Sequence, residues 1–518
     1  MSKKFNITGI CNPNKHYMVD ISDKLSQIKM LVDDESYFTI NRGRQYGKTT
    51  TLTELETYLA PEYLVISISF EGFSGSGFET EKSFCREFLV AIDESLEFLE
   101  EASAKWYDEN IETFGQLGRH ITKMCKGQKV VLMIDEVDKA SNYNIFLDLF
   151  SLLRKKFLFR AKSRDFTFHS VILAGVYDVK NVKQKMIHDG TYTKANDERR
   201  LNSPWNIAAE FEVDMSFSID EIADMLKGYE LEQQTGMDIQ KIAEEIYSYT
   251  SGYPFLVSRI CHEIDVKLNK NWTHKGILEA VKIILVEKNT LFDDLTKNLE
   301  NNNELAEFTY SLLIRGKSFL FNIDNPLIDQ GVRYGYFKSV DRRVKIANKV
   351  FEMRISEYFI SKDETVGKDH SLNAIQQDVI SGGRFNMQLC LEKFASHYAE
   401  IYATKDGVFF ERHGRLIFLT YLRPLINGQG FYHIETQTSD ARKMDLVVDY
   451  GVDQFIVELK IWRGEIKRQE AYTQLAGYLK QKNAKKGYLL TFDFRTREKK
   501  PKAEWIQVED KEIYEVQV

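Results

Sequence analysis

Short apolar runs alternate with longer amphipathic stretches through the N-terminal half of the chain. The runs at Tyr37–Asn41, 64–70, Val130–Asp135, 168–174 and 211–217 are too apolar to leave a face in water. They read as strands of a sheet covered on both sides. Residues 82–99 and 145–157 instead repeat apolar positions at helical spacing. Strand–helix alternation of this kind predicts an α/β fold with a mostly parallel sheet. Ligands of such sheets bind beyond the carboxyl ends of the strands.

The pattern then changes. Residues 218–227, Ile239–Thr250 and 254–268 have helical spacing, with Gly228 after the first and Gly252-Tyr-Pro254 between the other two. Between 308 and 359, short helices alternate with strand-like 334–340 and 343–347. That is a winged-helix-like pattern, which serves either DNA binding or spacing. Near the end, 444–450 and 455–461 flank Gly451-Val-Asp-Gln, a β-hairpin signal. A helix over 468–482 and a buried strand over 489–494 follow.

Two of these elements carry chemistry. After the first strand comes Arg42-Gly-Arg-Gln-Tyr-Gly47-Lys48-Thr49-Thr50. A phosphate-binding loop needs a tight turn, a helix N-terminus behind it and a lysine for the outer phosphates. Gly47, Lys48, Thr49, Thr50 and Arg44 are the candidate nucleotide contacts, and the Thr49 hydroxyl is a candidate Mg²⁺ ligand. Arg42 stands where such loops usually have their first glycine. A basic loop capping an ordinary helix is the alternative. The strand Val130–Asp135 answers it, because it ends in Asp135-Glu136-Val-Asp138. Asp135 is the expected Mg²⁺ partner and Glu136 the expected base for an attacking water. Asp138 reads as a cap or a solvated acid. Arg42 and Arg44 are open between neutralising transition-state charge and forming surface ion pairs. The strand at 168–174 offers no evident sensor of the outer phosphate, and Asp178 beyond it reads as a cap.

The second chemistry lies in the C-terminal hairpin. Alternation puts Glu458 and Lys460 on one face of their strand, and hairpin pairing can bring Asp445 beside them. Two carboxylates supply hard oxygen ligands for Mg²⁺ or Mn²⁺, and a neighbouring lysine can orient water or steady a pentavalent phosphate. Gln474 and Tyr478 sit at i and i+4 on the next helix, so they share a face. Glu411, ahead of an apolar stretch at 414–425, is either a further metal ligand or a helix N-terminal acid.

Composition narrows the setting. The chain has 518 residues, too many for one core, so two to four domains are expected. Apolar content of 43% is that of a globular protein. The five cysteines are scattered without a Cys-x-x-Cys pair, and the histidines show no metal spacing. Absence of a signal peptide and of a long apolar run predicts a cytoplasmic protein with no membrane segment. The net charge of −7 leaves no global basic footprint, so any nucleic-acid contact must be local. Residues 480–486 and 495–502 are local basic candidates.

At the C-terminus, Asp445, Glu458-x-Lys460 and Gln474-x-x-x-Tyr478 resemble the PD-(D/E)XK nuclease superfamily. Met444 replaces the name-giving proline. The whole chain resembles bacterial proteins that fuse an AAA-like ATPase to such a nuclease. The resemblance rests further on Arg42-Gly-Arg-Gln-Tyr-Gly-Lys-Thr, Ser203-Pro-Trp-Asn-Ile-Ala208 and Glu458-Leu-Lys-Ile-Trp-Arg-Gly464. It implies a P-loop ATPase domain over 1–215 and a helical plus winged-helix-like domain over 216–365. A helical linker over 366–400 and a restriction-endonuclease-like α/β nuclease domain over 401–518 complete the expected plan. ATP and Mg²⁺ are the implied cofactors, with Mn²⁺ an option at the nuclease site. The expected partner is nucleic acid, DNA ahead of RNA, and the ATPase type admits a homo-oligomer. The expected activity is an ATP-regulated, metal-dependent nuclease, with defence against mobile DNA as its role. A signalling ATPase whose nuclease-like domain only grips nucleic acid is the alternative. A helicase or translocase ranks last, because further helicase motifs are missing.

Overall fold

The computed structural model describes residues 3–97, 105–140, 144–175, 205–313, 317–364, 378–402, 418–419, 421–423, 425–426, 430–436, 444–462, 464–493 and 502–518. Two compact units divide the chain. One comprises Met1–Tyr247, Gly252–His262 and Arg333–Gly335, the other Ser248–Ser251, Glu263–Val332 and Tyr336–Val518.

In the first unit, the short parallel strands β1 (Lys4–Phe5) and β2 (His16–Tyr17) precede helix α1 (Ser22–Asp33). The main sheet contains β3 (Tyr37–Asn41), β4 (Leu64–Ser69), β5 (Val130–Asp135) and β6 (Ser170–Gly175). All are parallel, in the order β3-β6-β5-β4. Every residue of β5 and β6 is buried, which is why these strands read as unbroken apolar runs. Alternate side chains enter two cores. Val65, Val131, Met133 and Ile172 pack with α1 and α2 (Lys48–Leu59). Ile66, Leu132, Ile134 and Val171 pack with α3 (Glu81–Leu96), α4 (Phe114–Met124) and α5 (Asn144–Arg160). Thr80 and Thr113 start α3 and α4 with capping boxes, in which Ser83 and Gln116 reciprocate.

Residues 211–217, expected as a fifth strand, are not one. The chain makes a single parallel bridge, Phe38 with Ala209, and then leaves the sheet. Its polar backbone finds other partners. The Val213 carbonyl accepts from Arg42, the Asp214 carboxylate accepts from the Ser216 N–H, and the Phe217 N–H donates to the Gly252 carbonyl. The apolar alternation is nevertheless real as burial, since Val213 and Met215 lie in the core with α1 and α2. Alternating burial does not require a ladder.

The second unit contains a winged-helix arrangement. Helices Asn303–Leu313 and Pro326–Arg333 lead into the antiparallel hairpin β7 (Phe337–Val340) and β8 (Arg343–Ile346), then helix Lys349–Glu364. A two-residue hairpin, β9 (Ile380–Ser381) and β10 (Arg384–Phe385), precedes helix Met387–Tyr402. Beyond it lie β11 (Gly430–Thr436), β12 (Met444–Tyr450), β13 (Asp453–Ile461), β14 (Lys486–Phe492), β15 (Lys502–Val508) and β16 (Lys511–Gln517). Their order is β11-β12-β13-β14-β16-β15. The β11–β12–β13 pairs are antiparallel and the β13–β14–β16 pairs parallel. The expected hairpin is β12–β13, turning at Gly451 and Val452 between the paired Tyr450 and Asp453. Helix Glu465–Gln481 makes the crossover from β13 to the parallel β14.

Among the described residues, no helix is long and apolar enough to cross a membrane. All five cysteines are free thiols.

Gly252 has a φ of 73°, and a Cβ there would run into the Phe217 carbonyl oxygen. Gly252→Ala is therefore expected to destabilise the first unit by about 2 kcal/mol or more, from left-handed strain plus overlap. Chemical denaturation with a probe in that unit measures it. A midpoint equal to that of the unaltered chain would contradict the assignment.

Candidate nucleotide site and candidate nuclease site

The carboxyl ends of β3, β5 and β6 meet at the loop 42–47. Gln45 and Gly47 adopt left-handed φ values of 54° and 78°, folding the loop back onto the N-terminus of α2. Such a turn ahead of a helix forms an anion-binding concavity. Lys48 opens α2 and is buried, and its Nζ donates to the Arg42 and Gly43 carbonyls, both at 3.0 Å. Burial pushes this ammonium below the usual lysine range, while Asp138, Glu136 and Asp135 pull it back. Thr49 Oγ1 donates to Asp135 Oδ2 at 2.7 Å. Asp135 Oδ1 accepts from the Glu136 N–H at 2.8 Å. Hydroxyl and carboxylate thus meet at one point and form a hard oxygen set that suits Mg²⁺. Glu136 has a φ of 52°, a conformation uncommon for a side-chain-bearing residue. Burial first, then Asp135, raises its carboxyl above the ordinary range, as suits a base working near neutral pH.

Arg44 and Thr49 are exposed at the loop mouth. Thr50 is half-buried, and its Oγ1 accepts from the Cys11 N–H at 3.3 Å. Arg42 is structural. It donates to the Asn41 and Val213 carbonyls at 2.9 Å each, and its guanidinium lies over the Phe211 ring.

Three further features surround the loop. Asp138 is half-buried, not solvated, and packs so closely on Gly175 that a Cβ there would lie 3.0 Å from both carboxylate oxygens. The Gly252-Tyr-Pro turn meets the loop, where the Tyr253 hydroxyl donates to the Arg44 carbonyl. Lastly, a mostly apolar cleft of about 160 Å³ lies beside the loop. The N-terminal segment lines it with Ile7, Val19 and Ile21, and Tyr46, Phe217 and Phe255 close it. That segment is pinned by mutual packing of Phe5, Tyr17 and Tyr229 rings at 5.0–5.2 Å. Its polar anchor is Tyr17 to Glu232, and just beyond it Lys24 of α1 pairs with Glu221. No local motif marks residues 3–21 as site-forming, because their role comes from long-range packing.

In the second unit, the register sets Asp445 opposite both Glu435 and Glu458. Glu458 is only 2% exposed, and Lys460 Nζ lies 2.6 Å from its Oε1. Ile456, Glu458 and Lys460 share a face by alternation. Ile456 enters a core with Leu475, Tyr478 and Leu479 of helix Glu465–Gln481, so that helix covers this face. Gln474 is half-buried one turn before Tyr478. The Tyr478 hydroxyl is buried without a hydrogen-bond partner among the described residues. Glu411 lies outside the described residues. Among those described, no cluster of three or more acidic, histidine or cysteine side chains forms a ready cage for a metal. Mg²⁺ keeps several waters and needs only one or two carboxylates, so the donor chemistry of Glu458 fits it.

Sequence reading also missed Glu515. It is 1% exposed and accepts from Arg468 Nε at 2.8 Å, Tyr472 Oη at 2.5 Å and Thr491 Oγ1 at 2.7 Å. These bonds tie the crossover helix to β14 and β16. Two acids are thus buried in strands of one sheet: Glu515 accepts from three side chains, and Glu458 has a lysine beside it.

Residues 17–357 match the family model of the AAA-like domain. The chain belongs to the AAA-like domain family. Residues 431–503 match the PD-(D/E)XK nuclease superfamily, so this AAA-like chain carries both domain types. None of the curated proteins matches the sequence. Among solved structures, the Walker-type ATPase PABY2304 of Pyrococcus abyssi is 13% identical with a TM-score of 0.48, covering 68% of this chain and 99% of that one. The Aeropyrum pernix ORC1 protein in complex with DNA is 12% identical with a TM-score of 0.29, covering 67% and 94%. The Aeropyrum pernix ORC2 protein in ADPNP–ADP complexes is 10% identical with a TM-score of 0.35, covering 69% and 96%.

For the AAA-like domain, Lys48→Ala is expected to weaken ATP binding by about 100-fold or more, because the phosphates lose their one pre-placed ammonium. Isothermal titration reads this, and unchanged affinity would contradict the phosphate-loop assignment. Glu136→Gln is expected to keep ATP affinity and lose hydrolysis, since an amide cannot take the proton. In the unaltered chain, the acid limb of hydrolysis should lie above the range of an ordinary glutamate, because the raised Glu136 carboxyl must be ionised to act. Steady-state rates across pH test both statements. Normal turnover by the variant would move the base elsewhere.

Proposed function

We propose that this chain binds and hydrolyses ATP with Mg²⁺ and uses a second divalent ion, Mg²⁺ or Mn²⁺, to cleave phosphodiester bonds of nucleic acid, DNA ahead of RNA. The observation that carries the reading is Glu458, buried mid-strand with the Lys460 ammonium 2.6 Å away and Asp445 opposite in register. A carboxylate buried on a strand is costly unless it has a partner. Lys460 offsets part of that cost, and a divalent ion held by the same carboxylate would offset more.

Asp445 and Glu458 hold the divalent ion, with Glu411 a further proposed ligand. Such an ion activates water at neutral pH and neutralises phosphate charge. Lys460 orients the water and steadies negative charge on the phosphate, and Gln474 approaches from the helix. In the ATPase domain, Lys48, Gly47, Thr50 and Arg44 receive the phosphates, Thr49 and Asp135 hold Mg²⁺, and Glu136 draws the proton from water. The apolar cleft takes the base, where a flat ring gains from burial. A nucleotide-licensed cut of mobile DNA in the cytoplasm is the biological role proposed.

Asp445→Ala and Glu458→Gln are each expected to lower Mg²⁺-dependent cleavage by about 100-fold or more while leaving ATP affinity intact. Lys460→Ala should lose cleavage yet keep most of the ion affinity, since lysine contributes charge and not a ligand. Cleavage of a labelled duplex, read beside Mn²⁺ titration, tests the set. Full cleavage by both carboxylate variants would overturn the nuclease reading in favour of a nucleic-acid-gripping switch.

A further inference from the structure

The β7–β8 hairpin has an uneven charge distribution. From Tyr336 to Lys349, Lys338, Arg342, Arg343, Lys345 and Lys349 stand against one acid, Asp341, in a chain of net charge −7. The register puts Lys338 directly opposite Lys345. Like charges across an antiparallel pair repel. Burial lowers both ammonium groups below the usual lysine range, with Glu352 opposing it. The tip residues Asp341 and Arg342 have φ values of 48° and 60°, which closes a tight turn and leaves Arg342 and Arg343 exposed at its end. Among the described residues, neither guanidinium makes a hydrogen bond or an ion pair.

The tip is firmly mounted. Phe337 and Ile346 are buried beneath it. The Phe321 N–H donates to the Arg342 carbonyl at 2.8 Å, and the Val344 N–H to the Phe319 carbonyl at 3.0 Å. Helix Pro326–Arg333 has far less to offer an anion. It carries Asp329 and a single basic residue at its last position, and its Gln330 already accepts from Asn302. Positive charge is thus concentrated on the hairpin, while the helix that precedes it sets one arginine against one aspartate. That distribution suits phosphates, which need only charge, and not base edges, which need donors and acceptors in a groove.

We propose that the β7–β8 hairpin grips the phosphodiester backbone of duplex DNA, with Arg342 and Arg343 each on a phosphate and Lys338 and Lys345 completing the positive surface. The inference rests on the nuclease reading, for which it names the surface that holds the substrate. The grip is independent of sequence and releases counterions.

The test uses the full chain, a fluorescent DNA duplex of about 30 base pairs, and EDTA to prevent cleavage. Anisotropy gives the affinity over a range of salt. Each lost phosphate contact flattens the plot of log affinity against log salt by about 0.9, so Arg342→Asn with Arg343→Gln should flatten it by about 1.8. Affinity at low salt should fall about tenfold or more. Asparagine is chosen because it tolerates the left-handed tip. Equal ATP affinity and melting temperature confirm that the variant is folded, and the single Arg343→Gln replaces it if they differ. Lys82→Gln with Lys123→Gln removes the same charge elsewhere and should leave the slope alone. An unchanged slope in the hairpin variant, or equal flattening in the remote one, overturns the proposal. So does failure of the unaltered chain to bind the duplex. Hairpin-dependent binding without cleavage in Mg²⁺ keeps the grip and removes the nuclease reading. Cleavage with a hairpin-independent slope does the reverse.

Discussion

The Lys48 ammonium is the point on which the first unit turns. It lies buried at the head of α2, donating to two carbonyls of its own loop. A cation removed from water needs more compensation than neutral carbonyls give. Three carboxylates, Asp138, Glu136 and Asp135, provide it from the end of β5 and the turn behind it. The strand order makes this possible, because β6 pairs with both β3 and β5 and brings their carboxyl ends together. In the resting site the acids outnumber the lysine. In the proposed reading an incoming triphosphate arrives with a cation, which the Thr49–Asp135 pair takes up.

The second unit solves a similar problem with opposite signs. Glu458 is an acid inside a strand, and its neighbour two residues on is the compensating lysine. Glu515, two strands away in the same register row, shows what a purely structural buried acid looks like in this sheet. Arginine, tyrosine and threonine saturate it. The bonds of Glu515 hold the crossover helix in place over the sheet, while Glu458 is the acid to which the proposed reading gives chemistry.

Much of this was legible in the residues. Strands β3 and β5 were readable to the residue, because a strand buried on both faces can be nothing but apolar and must end where polar residues begin. The loop, Asp135 and Glu136 followed, since their spacing is local. The β12–β13 hairpin was readable from alternation around Gly451. The reading failed where partners are distant. Residues 211–217 kept the burial pattern of a strand but gave their hydrogen bonds to Arg42, Asp214 and Gly252. The cleft beside the loop is walled by an N-terminal segment held by Tyr229 and Glu232, far along the chain. Arg42, open in sequence between neutralising transition-state charge and a surface ion pair, braces Asn41 and Val213 in the fold. Edge strands such as β15, exposed at most of its positions, give little apolar signal to read.

The central claim is that one chain joins a nucleotide site to a working metal-dependent phosphodiesterase. The most direct measurement incubates the unaltered protein with supercoiled plasmid DNA, linear duplex and RNA, in Mg²⁺, Mn²⁺ or EDTA, with and without ATP, and resolves the products by electrophoresis. The account predicts cutting of DNA that needs a divalent ion and changes in rate with ATP. Intact substrates in every metal, under conditions where the protein binds ATP, would contradict it.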